Sequence, residues 1–362
     1  MADPAAPADA DGADGDLVRV SAASGRRFRS HRVLYPAAML AATGVAIWIT
    51  IHLVGDVSRS ITAMAGFHAG WLGVAGAVEV AGLAFAGEAL WRLQGRPTVI
   101  GRTAAQAASL VNLSLGAIMP AAPVEGFTLS FFELRRRGLP KRRASIALAW
   151  GQWLQARGFV LLGAASAIAA VAFGELTGRL ATIAWIGVAG GGLFLVGTWL
   201  LTSHPRPLAA VGAFAVRVLP ARAHPEQVRE AVLRFHREAH DLLGRGARRH
   251  VSWLFLTVGP FAMGVSLWAI LEAAGRPISI EEALLAAALT IVASWVPLVP
   301  GGIGVAESAL TLVLHHFGVP LADGLAVALV WRGITLVGPA ATGVVALAGL
   351  RFRRVHHPVP TT

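Results

Sequence analysis

Apolar positions in this chain gather into runs far longer than a globular helix needs, and the charged positions gather between them. Five runs are long and apolar enough to span roughly 30 Å of hydrocarbon at about 1.5 Å per residue. They are Tyr35–Gly55, Phe67–Trp91, Ala144–Phe173, Leu180–Thr202 and Val251–Leu271. A sixth, Leu321–Leu350, has the length but carries Arg332. Two further apolar stretches are punctuated. The stretch near 103–132 is interrupted by Pro120 and Pro123, and that near 282–317 by Pro297, Pro300 and the pair Gly301–Gly302. Proline removes a backbone donor and glycine loosens a helix, so each stretch predicts two half-helices meeting at a break.

The arginines give the orientation. The segments 19–32, 92–102, 135–143, 203–250 and 351–354 hold 5, 3, 6, 9 and 3 basic residues, whereas 55–66, 174–179 and 272–281 hold one each: Arg59, Arg179 and Arg276. With six spans, all the rich segments fall on the cytoplasmic side if both punctuated stretches enter and leave on one face. The first is then re-entrant from the cytoplasm and the second from the opposite side.

The two punctuated regions also share an order of features. Pro120 and Pro297 are 177 residues apart, as are Pro123 and Pro300; Glu125 and Glu307 are 182 apart. The turns Gly138-Leu139-Pro140 and Gly318-Val319-Pro320 are 180 apart, and Arg157 and Arg332 are 175 apart. The expected architecture is an all-α polytopic membrane protein, with about six transmembrane helices and two re-entrant broken-helix hairpins arranged as an inverted repeat, an arrangement known in transporters. Its expected divisions are a disordered cytoplasmic tail over 1–32, a first membrane half over 33–202, a basic cytoplasmic region over 203–250, a second membrane half over 251–350 and a cytoplasmic tail over 351–362.

Composition narrows the class. Hydrophobic residues make up 55% of the 362 and charged residues only 14%, where a soluble domain needs about a quarter charged. The first sixteen residues carry five aspartates, no basic residue and no apolar run, so they read as an acidic tail and not as a signal peptide. The net charge of +11 lies around the expected spans, which favours anionic headgroups at the cytoplasmic face over nucleic acid. There is no cysteine, which excludes thiolate chemistry. From Pro225 the region 203–250 reads as an amphipathic helix, with Val228, Val232, Phe235, Ala239 and Leu242 on one face. It is either a positive-inside linker or a docking helix for a partner.

Charge inside the hydrocarbon costs at least about 3 kcal/mol on insertion scales, so Glu125, Arg157, Glu307 and Arg332 each need a reason. Either they pair and lock the hairpins, or they line a polar cavity that admits a headgroup, for which arginine's planar fork suits phosphate. Gln152, Gln155 and Asn112 add polarity nearby. The run Pro300-Gly301-Gly302-Ile303-Gly304 exposes backbone N–H groups at a helix start, where an anion binds, or else allows close helix packing. Glu79, deep in the second span, is a proton site or a packed structural acid. His236 and His240 bracket Glu238 in the order H-R-E-A-H, which is not the zincin order, and no metal site is expected. No nucleotide loop and no hydrolase elbow is present, so no cofactor and no bond-making chemistry is expected.

The stretch Val296–Gly343, VPLVPGGIGVAESALTLVLHHFGVPLADGLAVALVWRGITLVGPAATG, resembles the closing signature of the lysylphosphatidylglycerol synthase transmembrane family, also called the flippase-like domain family. Pro300, Gly301, Gly302, Ile303, Gly304, Glu307, Gly318, Val319 and Arg332 match that signature in its order. The first half departs from it. The family shows a glycine before the acid, and here the order is Ala122-Pro123-Val124-Glu125-Gly126. As a hydropathy pattern the resemblance covers residues 35–350. Family members occur with or without a soluble aminoacyl-transferase domain, and the chain's end at Thr362 implies the membrane part alone. The resemblance implies a lipid translocase of the bacterial inner membrane; the arginine pattern puts both termini in the cytoplasm, and the expected partners are membrane lipids with, further, a second copy of the chain (a homo-oligomer) or a lipid-synthesis protein. A membrane-embedded lipid-modifying enzyme and a lipid-binding scaffold subunit are the alternatives.

Overall fold

The computed structural model describes residues 57–95, 99–112, 122–174, 176–218, 224–243, 247–294, 302–339 and 341–342, with single helical positions at 41, 44, 45, 48 and 52. The two terminal tails, most of the first expected span, and the break residues Pro120, Pro297, Pro300 and Gly301 lie outside the described residues. So do the side chains of Pro123 and Glu125, whose backbone is helical. Among the described residues all regular structure is helical.

A short α1 (Val57–Met64) precedes α2 (Ala69–Leu93). The first broken region contributes α3 (Arg102–Leu110) and α4 (Ala122–Arg136), followed by α5 (Lys141–Ala172) and α6 (Gly178–Ser203). Next come α7 (Pro205–Val218), α8 (Pro225–Leu243) and α9 (Ala247–Ala273), which contains Pro260. The second broken region contributes α10 (Ile280–Ser294) and α11 (Val305–His316), and α12 (Leu321–Arg332) follows. Three helical segments among the described residues are long and apolar enough to cross a membrane: Ala69–Leu93, Lys141–Ala172 and Ala181–Leu200. The four helices of the broken regions are shorter. At about 1.5 Å per residue, α10 reaches about 22 Å and α11 about 18 Å, so neither crosses roughly 30 Å of hydrocarbon alone.

The centre of the molecule is the crossing of α2 with α9. They run antiparallel, since the His68 N–H at the head of α2 donates to the Ala273 carbonyl at the foot of α9 over 2.9 Å. Small residues let the backbones meet. A Cβ built on Gly82 would stand 2.8 Å from the Ala262 Cβ and 3.7 Å from the Gly259 Cα.

Two apolar cores flank that crossing. One joins Leu90 and Leu93 of α2, Ala104 and Ala108 of α3, Leu134 of α4 and Leu148 of α5. The other joins Leu267 and Leu271 of α9, Ala287 of α10, Leu314 of α11 and Trp331 of α12. Each broken region therefore packs into its own core. The order of packing also recurs: α2 on α3, α3 on α4 and α4 on α5 in one half, α9 on α10, α10 on α11 and α11 on α12 in the other.

The helix stops recur as well. Gly95, Gly138, Gly275 and Gly318 have φ of +81°, +87°, +65° and +86°, a region closed to most other residues. Each is followed two residues later by proline, which cannot continue a helix. The intervals are 275 − 95 = 180 and 318 − 138 = 180. The Leu139 N–H donates to Leu134 O over 3.1 Å, and its counterpart Val319 N–H donates to Leu314 O over 3.0 Å.

At the arginine-rich end, α7 and α8 form a hairpin that approaches closely where Gly212 faces Val228 and Val232. The apolar face expected on α8 is thus covered, partly by α7 and partly by the first core, which Phe235 and Ala239 join. An ion pair between Arg142 and Glu238, 3.0 Å, ties α8 to the start of α5.

Candidate functional site

A cavity of about 220 Å³ opens beside the α2–α9 crossing, roughly seven times a water molecule's share of about 30 Å³. Its walls come from both halves: Glu79 from α2, Gln155 from α5, Thr290 and Ser294 from α10, Arg332 at the end of α12 and Thr335 beyond it. Phe159, Pro260, Met263 and Trp331 supply apolar wall between these groups.

Arg332 is held at this wall by charge. Its Nε–H donates to Glu307 Oε1 over 2.9 Å, and the two side chains are only 16% and 9% exposed. The other oxygen of Glu307, Oε2, accepts the Gly304 N–H over 2.6 Å. Glu307 therefore closes the first turn of α11 and anchors the arginine at once. Gly304 can serve as the start of α11 because its φ is +85°. Gly302 has φ +64° and lies so close to α10 that a Cβ would stand 2.8 Å from the Ser294 Cβ. Of the two readings of the glycine run, Gly302 follows the packing one, and at Gly304 the backbone donor has an anion from the chain itself, Glu307. Pro300 and Gly301 lie outside the described residues.

Beyond Arg332 the helix widens into a π-helical turn, Gly333–Val337, a distortion that often marks functional positions. Thr290, Ser294 and Thr335 each donate a hydroxyl hydrogen to their own helix backbone, at 2.7, 2.6 and 2.8 Å. Their remaining lone pairs make the wall an acceptor surface. Glu79 is buried, and its Oε2 has no hydrogen-bond partner in the structure.

A smaller pocket of about 30 Å³ lies toward the first broken region, lined by Ser109, Asn112, Gln152 and Gln155. There Gln152 Nε2 donates to Asn112 Oδ1 over 3.2 Å. Gln155 and Ala86 line both pockets.

Of the four charged residues expected inside the membrane, the structure brings Glu307 and Arg332 together. Arg157 is not among the residues lining the cavity, and its guanidinium lies over the Trp153 ring, 4.7 Å from the centroid. Glu125 sits near the start of α4, with its side chain outside the described residues. The sequence reading set Arg332 beside Arg157; counted from the helix-starting prolines, Gln152 follows Pro140 by 152 − 140 = 12 residues and Arg332 follows Pro320 by 332 − 320 = 12. The hydroxyls at 290, 294 and 335 were missed because each reads as ordinary helix interior.

The family model for the lysylphosphatidylglycerol synthase TM region matches residues 37–343. No curated protein matches the chain.

Proposed function

The chain belongs to the lysylphosphatidylglycerol synthase TM region family and is a multi-pass membrane protein, and on that footing we propose that it is a lipid translocase of the bacterial inner membrane. The observation that carries this is a cavity whose largely apolar wall holds a buried acid, Glu79, and the arginine of a buried ion pair, Arg332, inside a bundle that exposes large apolar side chains on its outer helices. A lipid headgroup fits such a place, while its acyl chains stay among the helices or in the bilayer. Phosphate and carboxylate groups answer Arg332, whose fork geometry favours planar or tetrahedral oxyanions. No bond is made or broken in this role.

Movement in both directions needs a site open to each side in turn. We read α2–α5 and α9–α12 as inverted-topology halves, with each broken region re-entering the membrane from its own face and both termini cytoplasmic. The turns at the constant interval of 180 support this, and so does the crossing itself. Gly82 and Ala262 are 262 − 82 = 180 residues apart and touch each other, as equivalent residues on a two-fold axis do. A rocking of one half against the other about that axis would move the cavity's opening between faces. Membrane lipids are the partners in this reading, with anionic headgroups against the basic cytoplasmic segments. The docking helix expected for a scaffold protein loses its open apolar face, because α8 packs on α7 and on the first core.

The test is transfer between leaflets of fluorescent phosphatidylglycerol and phosphatidylethanolamine by the purified chain in liposomes. Wild type accelerates transfer, and a doubly substituted protein, Glu307→Gln with Arg332→Gln, inserts normally and loses it. A double variant that folds and moves lipid at the wild-type rate refutes the proposal.

A further inference from the structure

On the outer side of the α2–α9 crossing lies a second concavity, of about 490 Å³, lined by Val78 and Ala81 of α2 and by Val258, Phe261 and Val265 of α9. Gly82 is the one residue that lines both this groove and the polar cavity within. The two spaces differ in the polar groups they carry. Among the described residues the groove carries no charged residue, and Thr257 is its one polar side chain. The cavity side carries Glu79, 7% exposed and with one carboxyl oxygen unpartnered. A cavity with charged and hydroxyl groups on part of its wall and an apolar groove that abut at a single glycine match the two ends of an amphiphile.

We propose that the groove seats an acyl chain of the lipid whose headgroup occupies the cavity, and that the α2–α9 seam is the lateral door between them. This deepens the translocation reading and rests on it. The seam suits a door because backbone meets backbone there. At Gly82, Gly259 and Ala262 no long side chain stands between the two spaces, so a small local separation there joins them, whereas the Cβ of any larger residue at 82 would collide with Ala262. Most lipid-facing surface lacks this pairing. The outer face of α6 is more exposed, with Leu193 at 74% and Ile186 at 67%, and no residue of α6 lines the cavity among the described residues.

That contrast supplies the control. The full chain is reconstituted in vesicles of phosphatidylglycerol and phosphatidylethanolamine containing a trace of phosphatidylglycerol with a diazirine midway along one acyl chain. Irradiation is followed by mapping of adducts by mass spectrometry. The expected result is several-fold more adducts on Val78, Ala81, Phe261 and Val265 than on Ile186 and Leu193, despite the greater exposure of the latter. Filling the groove with Val78→Trp and Val265→Trp, or with Ala81→Phe if the pair disturbs folding, brings labelling down to the α6 level and slows lipid transfer. Equal labelling of the two faces in the wild-type protein overturns the groove. A filled groove that leaves transfer at the wild-type rate overturns the door. Strong labelling in a wild-type protein that moves no lipid supports the groove as a lipid site and removes the translocation reading instead.

Discussion

The two broken regions of the molecule are held by different means. Arg332 and Gln152 each lie twelve residues past a helix-starting proline, one on α12 and one on α5. Arg332 reaches a carboxylate on the helix that follows the break, Glu307. Gln152 reaches an amide on the stretch that precedes it, Asn112. One tie is ionic and fixes the outgoing arm, and the other is neutral and fixes the incoming arm. The neutral tie lies at the smaller pocket, whereas the charged one presents Arg332 to the larger cavity.

Breaking the ionic tie gives the largest expected effect. Arg332→Ala leaves the Glu307 carboxylate buried beside no cation, which costs about 3–5 kcal/mol. The midpoint of thermal unfolding in detergent falls accordingly. Glu307→Gln with Arg332→Gln converts the tie into the kind found in the first half and recovers most of that loss, while lipid transfer stays abolished. Recovery of transfer along with stability would mean that the charge is a brace.

Next is the backbone that presents Glu307. Gly302→Ala combines a positive φ with a Cβ 2.8 Å from Ser294, and is expected to destabilise by about 3 kcal/mol. Gly138→Ala in the first half meets the same φ restriction in open space, since nothing lies within 4 Å, and is expected to cost about 1 kcal/mol. Equal costs would show that contact with α10 is not what demands a glycine at 302.

The neutral tie is weaker. Gln152→Ala leaves Asn112 without its partner in a half-buried setting, for an expected loss of about 1–2 kcal/mol. Transfer falls modestly, through the loosened wall that Gln155 shares between the pockets.

Much of this contrast could be read from the chain, and the limits of that reading have physical causes. Long apolar runs fix helices by composition alone. Phe67–Trp91, Ala144–Phe173 and Leu180–Thr202 became helices whose ends moved by three residues or fewer. Glu307 and Arg332 were legible because charge inside such runs must be explained. α7 was not read, since Pro205 and Pro207 suggest a loop, although proline is tolerated in a helix's first turn. Matching Arg332 to Arg157 followed charge; counting from Pro140 and Pro320 instead sets Gln152 beside Arg332. The cavity's hydroxyls were illegible because serine and threonine satisfy themselves on their own helix and leave no trace in the pattern.

The smallest effect on stability is expected at Glu79, and it is the sharpest question for the charged half. Its Oε2 makes no hydrogen bond, so Glu79→Gln removes no contact and keeps the side chain's volume; the unfolding midpoint stays within about 0.5 kcal/mol of wild type. Among the described residues the other charged group lining the cavity is Arg332, paired with Glu307, and Arg157 of α5 lies over Trp153. α9 offers none between Thr257 and Leu271. If Glu79 carries a proton during each cycle, transfer by the wild-type protein responds to a pH gradient imposed across the liposome, and the Gln variant moves lipid at a rate indifferent to it. A variant that keeps the gradient response assigns the proton elsewhere and leaves Glu79 as a packed acid of the wall. A variant that loses transfer altogether makes its charge part of headgroup recognition, the counterpart across the cavity of Arg332.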